Sequence, residues 1–236
     1  MKRFLTLGLG LLIIPACWSI DTIDSEDVNE DVIYGEYSVS YDAQTADLRY
    51  YAQFRVGGAT GTTLRLTDPS EVAADGKTME LFDGDEAWLN VEGSYYYLKE
   101  AASMASSEYS IVWTRLDGST YENIVIQADA IEVLSPMDGD TISLADGVTV
   151  EFDPPVGDNE SVRCTISGNS DVESDLVSSG NTCVFTAAEL DEIEPGDATI
   201  EVRRKLDGEV QNGHDEEGGR LNSYYYSPHI EMIFSE

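Results

Sequence analysis

Two histidines and three cysteines are the side chains in this 236-residue sequence best suited to nucleophilic or metal chemistry. A serine or cysteine nucleophile needs a histidine base within hydrogen-bonding reach. His214 lies in a stretch rich in glycine and acidic residues, and His229 follows a Ser-Pro pair. Neither is near a Gly-x-Ser-x-Gly motif, which marks the nucleophile of many hydrolases. We therefore interpret both histidines as surface residues and not as catalytic ones.

The glycine-rich segment 57–61 and the many acidic residues are two further candidates for chemistry. Residues 57–61, Gly-Gly-Ala-Thr-Gly, lack the Gly-Lys-Ser/Thr ending of a phosphate-binding loop and join two strand-like segments, so they predict a hairpin turn. A glycosidase needs a pair of carboxylates, but 46 acidic residues single out no pair. The sequence therefore predicts a protein that is not an enzyme, with hydrolysis of an envelope polysaccharide as an alternative.

The N-terminal segment has the order of a secretory signal, because the cations Lys2 and Arg3 precede an uncharged apolar run over residues 4–14. A transmembrane helix needs roughly 20 apolar residues, which this run does not reach. Residues 14–17, Ile-Pro-Ala-Cys, resemble the lipobox of bacterial lipoproteins. The resemblance implies that residues 1–16 are a removed signal peptide and that Cys17 carries the lipid. An ordinary cleaved signal, with Cys17 merely near the cut, is the alternative.

The cysteine count agrees with lipidation, because an odd number of cysteines in an exported protein leaves one thiol to be explained. With Cys17 assigned to the lipid, Cys164 and Cys183 remain and can form a disulfide in an oxidising compartment. This disulfide would close a loop of about 20 residues, for which loop entropy predicts about 3 kcal/mol of stabilisation. The alternative is a zinc site, which needs four ligands, and His214 and His229 are the only histidines.

The formal net charge of −33 excludes nucleic acid as a partner, because binding phosphates requires a basic surface. Disorder is also disfavoured, because 42% of the residues are hydrophobic and 13 are tyrosines. High acidity keeps a protein soluble where salt screens its self-repulsion, which indicates a saline habitat.

Calcium binding is the functional alternative for this acidity, since calcium takes clustered oxygen ligands. The candidate clusters are residues 83–86 (Asp-Gly-Asp-Glu), Asp138 with Asp140, and Asp153 with Asp158. None has the spacing of an EF-hand loop, and Asp-Gly pairs are turn formers. We expect no cofactor, with calcium as the alternative.

The pattern along the chain is that of an all-β protein. Residues 17–31 are polar and acidic, as in a tether. Beyond them, segments rich in Val, Ile, Tyr, Thr and Leu alternate with Gly, Asp and Asn at intervals of roughly 8–12 residues, which is typical of a sandwich or barrel. We predict strands near 33–41, 48–56, 63–66, 79–82, 87–91, 95–98, 108–114, 121–127, 141–144, 148–153, 162–167, 183–186, 198–205 and 222–234, the last broken at Pro228. A helix is plausible only at 99–107, which is as easily a loop, and a single helical turn at 186–190.

A Ser-Pro pair at 135–136 followed by Met-Asp-Gly-Asp predicts a domain joint, which gives domain 1 at 32–133 and domain 2 at 134–236. Each is about the size of one immunoglobulin-like sandwich. Residues 131–142 and 147–154 resemble the opening of a bacterial immunoglobulin-like or fibronectin type III-like domain, with a Ser-Pro-x-x-Gly turn and an aromatic residue, Phe152, before Asp-Pro. Residues 109–121 resemble the last hairpin of a similar module.

The whole chain resembles two-domain lipoproteins of marine and predatory bacteria. The resemblance implies two tandem immunoglobulin-like β-sandwich domains after a signal peptide and a short acidic tether. It implies no catalytic or binding residues.

Two tyrosine triplets are the candidate binding residues, because exposed aromatic rings stack on sugars and contact proteins. Consecutive strand residues face opposite ways, so the outer two of each triplet should share a face. Tyrosine as ordinary strand filler at the surface is the alternative. The six residues are Tyr95, Tyr96, Tyr97, Tyr224, Tyr225 and Tyr226.

These observations predict a protein of the bacterial cell envelope, lipid-anchored at the outer membrane, with a structural, adhesive or protein- or carbohydrate-binding role. Its expected partners are the membrane, through the lipid, and an envelope protein or polysaccharide. A calcium-stabilised adhesin or assembly component is the alternative from a different class.

Overall fold

The computed structural model describes residues 22–83, 93–102, 105–214 and 216–236. Cys17 with its lipobox, the strand predicted at 87–91 and residues 84–86 of the first acidic cluster lie outside the described residues. Within them, strands dominate and three single-turn 3-10 helices occur, at Ser25–Asp27, Glu30–Val32 and Leu144–Asp146. No helix in this part of the chain is long and apolar enough to cross a membrane. The all-β fold class is therefore confirmed.

The strands follow one another along the whole described chain. They are β1 (Thr22–Asp24), β2 (Ile33–Asp42), β3 (Asp47–Val56), β4 (Thr62–Arg65), β5 (Glu71–Ala74), β6 (Lys77–Thr78), β7 (Glu80–Phe82), β8 (Tyr95–Ala101), β9 (Glu108–Thr114), β10 (Thr120–Ile126), β11 (Glu132–Ser135), β12 (Thr141–Ser143), β13 (Val148–Val156), β14 (Glu160–Ser167), β15 (Asp171–Glu173), β16 (Gly180–Phe185), β17 (Gly196–Gly208), β18 (Gly219–Tyr226) and β19 (Ile230–Ser235).

The first hydrophobic core lies between two layers, as in a β-sandwich. One layer contains β4, β3 and β2 with β8, and the other is a four-stranded sheet of order β10-β9-β5-β6. Alternation places Tyr109, Ile111 and Trp113 of β9 on the buried face, as the sequence pattern predicts. Across the core they meet Tyr37 and Phe54, which lie on β2 and β3.

The second core has the same two-layer construction. A three-stranded sheet of order β11-β13-β16 packs against β14, β17 and β19, with Phe152 and Ile200 completely buried between them. Cys164 of β14 and Cys183 of β16 form a disulfide between the two layers, with a Cα–Cα distance of 6.3 Å. The predicted disulfide is confirmed, and it links layers that are otherwise held together by side-chain packing.

One continuous sheet joins the two halves of the chain. Strand β18 pairs in parallel with β2, from Gly219 beside Gly35 to Tyr226 beside Asp42. The sheet therefore runs β4-β3-β2-β18-β17-β14 without a gap. Leu221 of β18 belongs to the first core although it comes from the second half of the sequence. The domain division at 133/134 remains a prediction. Both strands of the β17–β18 hairpin come after that division, but β17 contributes to the second core and β18 to the first.

Two local features differ from the sequence-based expectation. Residues 22–31, predicted as part of a tether, lie on the folded body, because β1 pairs in parallel with β4 and Ile23 and Val28 pack against the first core. The segment considered for a helix at 99–107 begins as strand, because β8 continues to Ala101 and pairs there with Asp47 of β3. Isolated apolar residues such as Ile23 and Val28, in an otherwise acidic segment, form no pattern from which such contacts can be predicted.

Candidate binding surface

The continuous sheet has an inner face, which covers both cores, and an outer face. Residues directly opposite each other on neighbouring strands point to the same side of a sheet. The register therefore aligns outer-face side chains in rows that cross five or six strands. One row is Lys99, Arg49, Ser40, Tyr224 and Lys205, and the next is Ala101, Asp47, Asp42, Tyr226, Arg203 and Arg163.

The tyrosine triplets straddle the sheet as alternation requires. Tyr96 and Tyr225 lie on the inner face, where Tyr96 belongs to the first core and Tyr225 packs against both cores. Tyr224 and Tyr226 are half-buried on the outer face, with ring centroids 6.5 Å apart. Tyr95 also points outward but is 0% exposed.

Tyr95 is covered because the ring of Phe82 stacks on it at 5.5 Å. Tyr97 is half-buried and stands edge-on to the same Phe82 ring at 6.0 Å. The first triplet therefore offers Tyr97 alone to a ligand, whereas the second offers two neighbouring rings.

Most cations of the described chain lie on the outer face of the sheet, although the protein as a whole is strongly acidic. They are Arg49, Arg55, Arg65, Lys99, Arg163, Arg203, Lys205 and Arg220. Lys77, Arg115 and Arg204 lie elsewhere. The sequence-based search missed this clustering, although Arg203 and Lys205 alternate within a predicted strand and so had to share a face.

Ion pairs neutralise Arg49 and Lys99 in the part of the outer face formed by β2, β3 and β8. Arg49 lies 3.1 Å from Asp42 and 3.2 Å from Asp47, and Lys99 lies 2.7 Å from Asp47. The hydrogen bond from Lys99 is the main cause that holds the pKa of Asp47 below its usual value. Arg49 and Lys99 are therefore already paired with carboxylates of the protein itself.

A groove of about 300 Å³ opens over β14, β17 and β18. We call it the Arg203 groove; its lining residues are Ser161, Arg163, Leu176, Arg203, Lys205, Tyr224 and Tyr226. Arg163 stands directly opposite Arg203 across the β14–β17 ladder. The groove thus combines two aromatic rings with three cationic side chains on strands that are paired on both sides.

The cations of the Arg203 groove differ in their partners. Arg163 forms an ion pair with Glu173 at 2.7 Å, and Lys205 forms one with Asp207. Arg203 forms no salt bridge with any carboxylate in the described ranges, and its charge acts on Tyr226. Burial raises the pKa of Tyr226, and Arg203 counteracts that effect. The guanidinium of Arg203 is therefore the cation best placed to bind an anion from outside.

His214 is buried, which corrects its interpretation as a surface residue. It is 5% exposed, and its ring stacks on Trp113 at 5.0 Å with an interplanar angle of 6°. Its Nδ1 lies 2.7 Å from the Ile33 carbonyl, which can only accept, so Nδ1 carries the proton and donates. Nε2 then accepts from the Tyr37 hydroxyl at 2.7 Å.

The glycine at position 35 is what makes room for this histidine. A Cβ atom there would lie 2.2 Å from Nε2 of His214. A glycine within a strand often marks such a close approach, and that was the signal in the sequence. His214 therefore fastens the loop that follows β17 to the first core through its stacking on Trp113 and its hydrogen bonds to Tyr37 and Ile33.

The other sequence candidates are structural. His229 is exposed and lies 3.3 Å from Glu201. Residues 57–61 form the turn between β3 and β4, closed by a hydrogen bond from the Gly61 amide to the Gly58 carbonyl at 2.9 Å, so the predicted hairpin is confirmed. Asp138 and Asp140 accept backbone hydrogen bonds from Glu231 and Met137. Over the described residues, no three His, Cys, Asp or Glu side chains come together to hold a metal ion.

Solved structures of two kinds of bacterial protein match this chain at low similarity. The structure of the Clostridium thermocellum CbhA fibronectin(III)-like modules is 9% identical, with a TM-score of 0.25, over 86% of this chain and 92% of that chain. A bacterial ice-binding adhesin of 1.5 MDa, studied for host cell surface retention, is 13% identical, with a TM-score of 0.23, over 86% of this chain and 65% of that chain. No protein-family model matches the sequence, and no curated protein matches it.

Proposed function

We propose that this chain is a non-catalytic binding protein of the bacterial cell envelope, held there by a lipid on Cys17, and that it binds polysaccharide through the outer face of its continuous sheet. The observation that carries the proposal is the Arg203 groove, in which Tyr224 and Tyr226 lie beside cationic side chains. Tyrosine rings supply an apolar face and a hydroxyl to a ligand, and arginine supplies a planar fork of donors.

The sheet holds these side chains in place before any ligand arrives. Strand β17 pairs with β14 and β18, and β18 pairs with β17 and β2, so the strands that carry Arg203 and the two groove tyrosines are central in the sheet. Side chains on a rigid scaffold lose little conformational entropy on binding, which favours affinity. Tyr225, between the two groove tyrosines, packs against both cores and fixes the strand from below.

The anchoring part of the proposal is tested by labelling cells with a tagged fatty acid. We expect the label on the wild-type protein and none on a Cys17→Ala variant. Equal labelling of both would place the lipid on another residue, and an unlabelled wild type would indicate an ordinary cleaved signal; either result would contradict an anchor on Cys17.

The binding part is tested by co-sedimenting the full-length protein with purified polysaccharide and with protease-treated envelopes. We expect a Tyr224→Ala, Tyr226→Ala double variant to lose binding and a Tyr97→Ala variant, altered on the same face but outside the groove, to keep it. Thermal melting of each variant separates lost binding from lost folding. Binding that disappears after protease treatment would indicate a protein ligand and contradict the polysaccharide assignment.

A further inference from the structure

We infer that the Arg203 groove recognises an acidic sugar of a polysaccharide, with Arg203 binding the carboxylate or sulfate group and the groove tyrosines contacting the ring. The inference rests on the proposed function and specifies the class of ligand.

The lining of the groove is the first argument. The sequence has 46 acidic residues against 13 basic ones, yet three cations and no carboxylate line this groove. A second groove, of about 460 Å³, has the opposite character, with Asp138, Asp197 and Glu231 and no cation. An anionic ligand is therefore repelled by the surroundings and attracted at this position of the described surface.

The cross-strand pairing is the second argument. Arg163 and Arg203 are directly opposite each other, and like charges in that position destabilise a sheet. Lys205, two residues along the same face, adds a third cation. Arg49 and Lys99 are a second like-charge pair on the outer face, but Asp47 bridges them, at 3.2 Å from Arg49 and 2.7 Å from Lys99. In the described ranges, no carboxylate bridges Arg203 to Arg163 in this way. A like-charge pair that costs stability and brings no structural gain is typical of a binding site, where the ligand supplies the negative charge.

The size and shape of the groove select the kind of anion. A volume of about 300 Å³ is at the lower end of the range for small-ligand sites. A short acidic saccharide fits such a site, because the acidic surroundings begin at its rim with Asp207 and Glu173. A flat membrane surface with dense phosphate groups would place further negative charges against these carboxylates.

The test uses the full-length protein and four probes: an oligogalacturonate for the carboxylate, a sulfated dextran oligosaccharide for the sulfate, neutral dextran of matched length, and vesicles that contain anionic phospholipid. Isothermal titration measures each dissociation constant. We expect one of the two anionic oligosaccharides to bind at least about tenfold more tightly than neutral dextran, since a hydrogen bond to a charged group is worth about that much.

The matched variants are Arg203→Gln and Lys77→Gln, which remove the same charge from the groove and from the four-stranded sheet. We expect Arg203→Gln to remove the preference for the anionic sugar and Lys77→Gln to retain it. Equal losses in both variants, equal binding of neutral and anionic sugars, or tighter binding of the vesicles would each overturn the inference. Binding of neutral sugar without an anionic preference would leave the proposed polysaccharide function standing, which keeps the two failures distinguishable.

Discussion

The like-charge pair of Arg163 and Arg203 predicts that a charge reversal in the groove stabilises the fold while it destroys the site. Replacing Arg203 by glutamate removes one cross-strand repulsion and creates an attraction to Arg163. Each such pair is worth roughly 0.2–1 kcal/mol, and the nearby Glu201 opposes part of the gain, so we expect the free energy of unfolding to rise by about 0.5–1 kcal/mol. For a chain of this size, that raises Tm by about 1–4 °C.

Thermal melting of the Arg203→Glu variant measures this gain. The gain should shrink as salt rises from about 0.1 to 1 M, because the Debye length falls from about 10 to 3 Å. Lys77→Glu is the matched control, since it makes the same change of charge where Lys77 already pairs with Glu100. We expect no gain there. A lower Tm for Arg203→Glu, or the same response in both variants, would refute the idea that the groove stores unfavourable charge.

Three further predictions concern the cores. Replacing Cys164 and Cys183 by alanine should lower the free energy of unfolding in urea by about 3 kcal/mol, because their sequence separation of 19 closes a loop that restrains the unfolded chain; a loss below about 1 kcal/mol would contradict this. His214→Phe should cost about 1–3 kcal/mol by leaving the Tyr37 hydroxyl unpaired, and adding Tyr37→Phe should recover part of that loss, whereas additive losses would contradict the hydrogen bond. Burial raises the pKa of Tyr96 to about 12, while an unfolded tyrosine titrates near pH 10, so the contribution of Tyr96 to the free energy of unfolding is fully present below pH 10 and falls by about 1.4 kcal/mol per pH unit towards pH 12. Ultraviolet titration followed together with circular dichroism should show unfolding as the tyrosines ionise. Ionisation of Tyr96 at pH 10 in the folded protein would contradict the prediction.

The strands were the predictable part of the fold because side-chain alternation is a local property of the sequence. Residues 108–114, with three large apolar side chains at every second position, were predicted as a strand and form β9 with those bounds. The disulfide followed from the cysteine count for a similar reason, since few alternatives exist for three cysteines. Short strands such as Glu71–Ala74 were missed because acidic and alanine residues favour no strand by composition.

Pairing between distant strands could not be predicted, because the same alternation fits many partners. Nothing in the pattern of Gly219–Tyr226 indicates that its neighbour is Ile33–Asp42, near the other end of the described chain. The candidate site depends on that information, since Arg163 meets Arg203 only once the β14–β17 register is set. The burial of His214 likewise depends on a glycine far away in sequence and not on the loop that contains it.

The parallel pairing of β2 with β18 has a mechanical consequence. The described chain enters the fold through β1, which pairs with β4 in the same sheet as β2, and the groove lies on β17 and β18. A pull between the N-terminal side and a bound ligand therefore crosses the β2–β18 ladder. The two strands run side by side over Gly35–Asp42 and Gly219–Tyr226, and such a pull slides them lengthwise past each other. Their hydrogen bonds then carry the load together instead of opening one after another, and the sheet transmits tension without separating the two halves of the protein.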